Sequence, residues 1–172
     1  DPVTALLAEN DTLYVGGSVL RIMDGTNGVP FPWPSTAYAV SALAKHGGTL
    51  FVGGDFISIG GQQRYYVGAV NAQTGTALPW NPLASGRVRT LAVVNNDVYV
   101  GGDFEGIGLM QRPGIAKLDG ISGLARAWSP GLSVGTSWSG IFGHVNAVLP
   151  TDSTLFTCGS FESLGSVDRH WI

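Results

Sequence analysis

The chain has 172 residues, a net charge of −3, 26 glycines, 10% aromatic residues and only 12% charged residues. Its length is sufficient for one domain with a sizeable core, and charge at about half the usual 25% favours a packed, turn-rich chain over a disordered one. The balance gives no electrostatic reason to expect nucleic acid or an anionic membrane as partner, and no apolar run approaches the roughly 20 residues that cross a bilayer.

Taken in chain order, the residues repeat themselves. A strand-like run opens at Val3 and a second at Thr12, with Tyr14 eleven positions after the valine. Gly16 and Gly17 follow, then Ser18 and Val19, the turn "DGTNG" at 24–28, and Trp33. The same order restarts at Val40 with Phe51, Gly53, Gly54, Asp55 and Phe56, then Ile59–Gly60, Arg64, the turn "NAQTG" and Trp80. It restarts again at Val88 with Tyr99, Gly101, Gly102, Asp103 and Phe104, then Ile107–Gly108, Arg112, "DGISG" and Trp128. A fourth pass runs from Val145 through Phe156, Cys158–Gly159, Ser160 and Phe161 to Leu164–Gly165 and Arg169. The repeats are expected near 1–36, 37–84, 85–141 and 142–172, the last truncated. Phe51 and Tyr99 stand 48 positions apart, a period in the range of β-propeller blades.

The third pass shows how one unit is built. "VRTLAVV" alternates and ends at "NND", a hairpin signal. "VYVGGDF" is the second strand, followed by a connection holding Gly106 and Gly108. "GIAKLD" is the third strand, and "LARAWSP" the fourth, halted by proline. Both faces of such a sheet are apolar, with Val98 and Val100 against Tyr99. It must be covered twice, and radial stacking of similar sheets does this while leaving short edges. The expected fold class is all-β: four-stranded antiparallel blades, about three and a half of them, in an incomplete ring or a fragment of a larger propeller.

The glycine doublets have a packing explanation. Each glycine leaves a hollow on a sheet face, and the expected filler is a tryptophan, Trp80 or Trp128, one per unit. A phosphate-cradling loop requires a helix after the glycines, and no helical pattern follows any doublet.

The pattern "LYVGGSV / LFVGGDF / VYVGGDF" with "TGTALPWNP" and "SGLARAWSP" resembles the delta-sixty type of β-propeller repeat of large secreted and envelope proteins. The doublet is also kelch-like, with a different offset to tryptophan. The resemblance covers essentially the whole chain. It implies a propeller in an extracellular or cell-envelope setting, usually without assigned chemistry, and supplies no catalytic residues. The chain departs from the pattern in three places. The first unit is short and lacks an Arg64 counterpart, the third carries an insertion, and the fourth has Cys158 for glycine. Three units and a part do not close a ring of 4–8 blades; further blades are expected from the same polypeptide or from neighbouring subunits, with a leader removed or the chain a segment of something longer.

Candidate sites follow from the irregularities. Asp55 and Asp103 with Arg64 and Arg112 either line a channel that binds an ion or sugar, or form pairs inside each unit or hold a turn through the carboxylate; Ser160 with Arg169 makes a strict acid–arginine pair non-obligatory. Asp24, Asn27, Asn71 and Asp119 sit in turns without the spacing of a calcium loop, which points to side-chain-to-backbone turn bonds and no metal. The insertion at 131–144 brings Trp138, Phe142 and His144 onto a glycine- and serine-rich loop, which is either a binding element or a loop folded back onto its own unit. "PFPWP" at 30–34 has the look of a polyproline ligand, but Trp33 holds the repeat tryptophan position. "NDT" at 10–12 is a glycosylation sequon in a hairpin turn. Cys158, the only cysteine, is expected to be buried and inert.

The expected function is a non-catalytic scaffold that presents a surface to protein or glycan, with no cofactor. The alternatives are a structural subunit of a filament or large complex, and a propeller glycosidase or lyase with channel carboxylates.

Overall fold

The computed structural model describes residues 2–33, 37–133, 143–151, 153–165 and 167–168. Among them the chain is all-β, with several small antiparallel sheets and no helix, hence no helix long and apolar enough to cross a membrane.

The first sheet contains β1 (Val3–Glu9), β2 (Thr12–Gly17) and β3 (Arg21–Asp24), with β2 in the centre. The second unit runs β4 (Val40–His46), β5 (Thr49–Gly54), a short hairpin β6 (Ser58–Ile59) and β7 (Gln62–Gln63), then β8 (Val67–Asn71). Its main sheet is ordered β4-β5-β8. The third unit repeats this as β9 (Val88–Val94), β10 (Asp97–Gly102), β11 (Gly106–Ile107), β12 (Met110–Gln111) and β13 (Ile115–Asp119). Next come β14 (Leu132–Ser133), the pair β15 (His144–Pro150) and β16 (Leu155–Ser160), and the short β17 (Ser163–Leu164) and β18 (Val167–Asp168). β14 joins β17 and β18 in one small sheet, so the tail of the third unit adds to the hairpin of the fourth.

The doublet strand is central in the three-stranded sheet of each of the first three units, because its neighbours in sequence fold back on both sides. Tight turns close the first hairpin, and Asn95, at φ 55, takes the left-handed conformation that asparagine tolerates. The first unit is short because β2 runs to β3 without the small hairpin that β6–β7 and β11–β12 supply elsewhere. Two details differ from the sequence reading. The connection after the doublet carries that hairpin. "LARAWSP" is not a full strand, since it touches the sheet only at Leu118↔Ala125, with the Asp119 amide donating to Leu124 and that of Arg126 to Lys117. Pro130 cannot extend a ladder, and Trp128 turns to pack on Tyr99, so the edge segment leaves early.

The core lies between units rather than inside them. Tyr14, Leu20 and Ile22 of the first unit form one buried cluster with Val40, Val52 and Phe56 of the second. Phe51, Val67 and Trp80 meet Val88, Val98, Val100 and Leu118 in the next. Ile115, with Tyr99 and Trp128 beside it, meets Val145, Val148 and Phe161 in the last. Both faces of the third sheet are therefore covered, Val98 and Val100 toward the second unit and Tyr99 toward the fourth.

The glycine hollows correct an expectation. They are filled by a valine, not an indole. A Cβ on Gly16 would lie 2.7 Å from Cγ1 of Val40, and one on Gly101 2.7 Å from Cγ1 of Val145. At Gly53 it would run into Cγ1 of Val88. Each first glycine of a doublet thus receives the valine that opens the next unit. The second glycine has a different partner: a Cβ on Gly54 or Gly102 would strike the carbonyl oxygen of Ala39 or Arg87, where the first strand of the same unit begins. Trp80 and Trp128 lie on the edge segment and pack instead on the aromatic that precedes the doublet, Phe51 and Tyr99. Trp80 packs edge-on against Phe51 at 4.9 Å, and its indole N–H reaches across to the Asp119 carbonyl at 2.9 Å. Trp33 likewise lies on Gly75 of the following unit, 2.8 Å from a Cβ placed there.

Candidate functional site

The second glycine of each doublet puts the following residue beside the start of the first strand. The Asp55 amide donates to the Ala39 carbonyl at 3.0 Å, and the Asp103 amide to that of Arg87 at 2.8 Å. The residues flanking each opening valine and those after each doublet therefore gather along one rim. There Arg89 donates from Nε to Oδ1 of Asp103 at 2.8 Å, each side chain about one-third exposed at 32%. Nδ1 of His144, from the next unit, lies 3.9 Å from the same oxygen. Arg87 reaches back one unit to the hydroxyl of Ser41 at 3.0 Å, and the Thr4 hydroxyl donates to the Val40 carbonyl. The rim thus joins successive units through half-exposed groups of both signs, able to donate to and accept from hydroxyls or amides.

The acid–arginine pairs expected within units do not form. Arg64 donates to the carbonyls of Gln63 at 2.8 Å and Leu78 at 3.2 Å; Arg112 does the same to Gln111 at 2.9 Å and Arg126 at 3.3 Å. Each ties the small hairpin to the departing edge segment, since both segments end with carbonyls that lack ladder partners. Asp55 is exposed, while Asp103 pairs with Arg89 instead. Arg169, Trp138 and Phe142 lie outside the described residues, whereas His144 stands at the rim beside Asp103. Arg87, Arg89 and Ser41 were absent from the sequence-based candidates. Their positions directly beside an opening valine are the signal that would have found them.

The turn acids act as acceptors. Oδ1 of Asp119 takes the amides of Ile121 at 3.0 Å and Ser122 at 2.7 Å, and Oδ1 of Asp24 takes the Thr26 amide at 2.8 Å and its hydroxyl at 2.6 Å. Asn71 does the same for Gln73 and Thr74. The Ser122 amide above all holds Asp119 below the usual carboxylate range, and the Thr26 hydroxyl and amide do so for Asp24. Asn10 of the sequon is exposed in the β1–β2 turn. Cys158 is exposed, contrary to expectation: it occupies a glycine position whose cover elsewhere is the next unit's valine.

At the opposite end, equivalent clefts open between units. One of about 430 Å³ is lined by Tyr14, Lys45, Gly47, Gly48 and Gln73 among others. Its counterpart one unit on, about 130 Å³, has Phe51, Val93, Asn95, Asn96 and Ile121 in the same places. Burial raises the Tyr14 phenol above its ordinary value.

These features define a class by fold alone. No protein-family model matches the chain, and no curated protein sequence does. Among solved structures it is similar to the computationally designed Ika4 protein, with a TM-score of 0.62 and 16% identity over 95% of this chain and 92% of that one. It is also similar to the computationally designed Ika8 protein, at a TM-score of 0.55 and 15% identity, covering 91% of this chain and 55% of that one. At such identities the likeness is one of architecture.

Proposed function

We propose that the chain is a β-propeller segment of the delta-sixty repeat type, and that it serves as a non-catalytic scaffold whose rim binds a protein or glycan in an extracellular or cell-envelope setting. One observation carries the reading: successive units bring Ser41, Arg87, Arg89, Asp103 and His144 to one edge, and in the sequence Trp138 and Phe142 precede His144 by six and two positions. Mixed-sign, half-exposed groups on a stiff repeat frame suit recognition of hydroxyl or amide groups. Asp103 is held by Arg89, which suits a positioning acceptor better than an acid that delivers a proton to a glycosidic oxygen.

Binding to a glycan array and to a secreted-protein panel tests this. Trp138→Ala and Arg87→Ala should weaken any ligand at least about tenfold, the loss of one good polar or stacking contact. Equal binding by both variants would remove the rim from consideration. Polysaccharide hydrolysis that disappears in Asp55→Asn or Asp103→Asn would instead establish an enzyme.

A further inference from the structure

We infer that the two end faces of the chain form an interface with a second copy, joined head to tail so as to repeat the internal contacts between units. Inside the chain every such contact has the same parts. The opening valine of the later unit enters the glycine hollow of the earlier one, and Val40, Val88 and Val145 are at most 1% exposed as a result. The aromatic of the earlier unit is covered in the same contact, leaving Tyr14 4% and Phe51 3% exposed.

At the two ends these parts stand bare. Val3 is 56% exposed and Leu6 62%, although their counterparts Val88 and Leu91 are 0% and 8%. On the fourth unit Phe156 is 59% and Leu149 62% exposed. These two face each other across the β15–β16 ladder, in the register that Leu7 and Tyr14 hold in the first unit. Each copy thus carries one of each half, which makes the contact heterologous. Charge raises no obstacle. The Glu9–Lys45 ion pair links the first two units, and the matching positions at the ends are the uncharged Thr151 and Ala8. The occupant we assign is a second copy of this 172-residue chain, because its first-unit face carries the opening valine that is seated three times within the chain. This holds whatever ligand the rim takes.

Cys158 sets the strength of the contact. It stands where Gly16, Gly53 and Gly101 leave room, so its Cβ and Sγ crowd the incoming Val3. Cys158→Gly should tighten association about tenfold by removing that overpacking. The thiol also reports on the face it occupies, and its labelling by a maleimide should slow as protein concentration rises.

The test is sedimentation velocity on the 172-residue chain and its variants, from about 1 to about 200 μM, a range that detects micromolar affinity. The parent and Cys158→Gly should associate. Val3→Lys and Phe156→Lys, each altering one exposed end, should be monomers alone, with unchanged circular dichroism and melting. Mixed together they should form a dimer, since one retains the last face and the other the first. Monomers throughout for both parent and Cys158→Gly would overturn the proposal. So would association that survives either lysine variant alone, or a mixture that stays monomeric.

Discussion

The valine in each glycine hollow can be tested by a double-mutant cycle at Gly53 and Val88. A methyl at Gly53 would overlap Cγ1 of Val88, with Cβ of Val88 at 3.1 Å and Cδ1 of Leu91 at 3.3 Å, all tighter than ordinary contact. Overpacking of this kind costs about 1–3 kcal/mol. It is offset in part by the roughly 0.4–1 kcal/mol that alanine contributes over glycine where the backbone permits it, and Gly53 has no positive φ. Gly53→Ala should therefore destabilise by about 1–2 kcal/mol net. Val88 is 0% exposed, and Val88→Ala should cost about 2–3 kcal/mol for two buried methyls and the cavity they leave. In the double variant the new methyl occupies space the valine vacated, so the losses should fall short of their sum by about 1–2 kcal/mol. Gly54→Ala is the control. Its added methyl meets the Ala39 carbonyl and lies 3.0 Å from Cα of Val40, backbone that Val88→Ala does not move. Urea melts monitored by tryptophan fluorescence measure all six proteins, the Gly54→Ala/Val88→Ala double variant included. Additivity of Gly53→Ala and Val88→Ala within about 0.5 kcal/mol would refute the seating of Val88 in that hollow.

Three further outcomes are expected. Trp80→Ala should cost about 3–5 kcal/mol, and Trp80→Phe about 1 kcal/mol at least for the lost bond to Asp119; thermal melts give both, and a shift near zero would contradict the burial of Trp80. Arg64→Met keeps the alkyl stem but removes the bonds to Gln63 and Leu78; hydrogen exchange should quicken across β6–β7 while β5 and β8 stay protected, and uniform protection would deny the arginine its tying role. Asp119 has a folded pKa below its ordinary 3.8, so its contribution is present above that value and is lost as pH falls through the folded pKa. Asp119→Asn keeps the acceptor, as Asn71 does in the second unit, and should flatten the acid limb of the stability curve; an unchanged limb would assign acid sensitivity to other carboxylates.

The all-β class was legible because its signals are local. Alternation in "VRTLAVV", asparagines in the hairpin turn and a doublet recurring after an aromatic need only neighbouring residues. What failed was whatever depends on partners many positions away. The hollow at Gly53 is filled by Val88, which the sequence places 35 residues later, and size alone suggested the bulkier Trp80. Arg64 and Arg112 were matched to carboxylates by charge, but free carbonyls at the hairpin ends lie closer and need donors. Cys158 was expected to be buried because cysteine usually is. Its exposure is decided by what covers the fourth unit, a question its own sequence neighbourhood does not address. The rim was partly visible in Asp103 and His144, while Arg87 and Arg89 were hidden by their place within an ordinary strand pattern.

The valine that enters the preceding unit's hollow also bears on how such a chain lengthens. Each module carries a socket for its successor and a plug for its predecessor, so an in-frame duplication of one whole module inserts a matched pair and asks no compensating change of its neighbours. A deletion that is not a whole number of modules leaves a plug without a socket. Lengthening by tandem copying is thus favoured by the joint itself, and at Cys158 the socket is narrowed by a side chain.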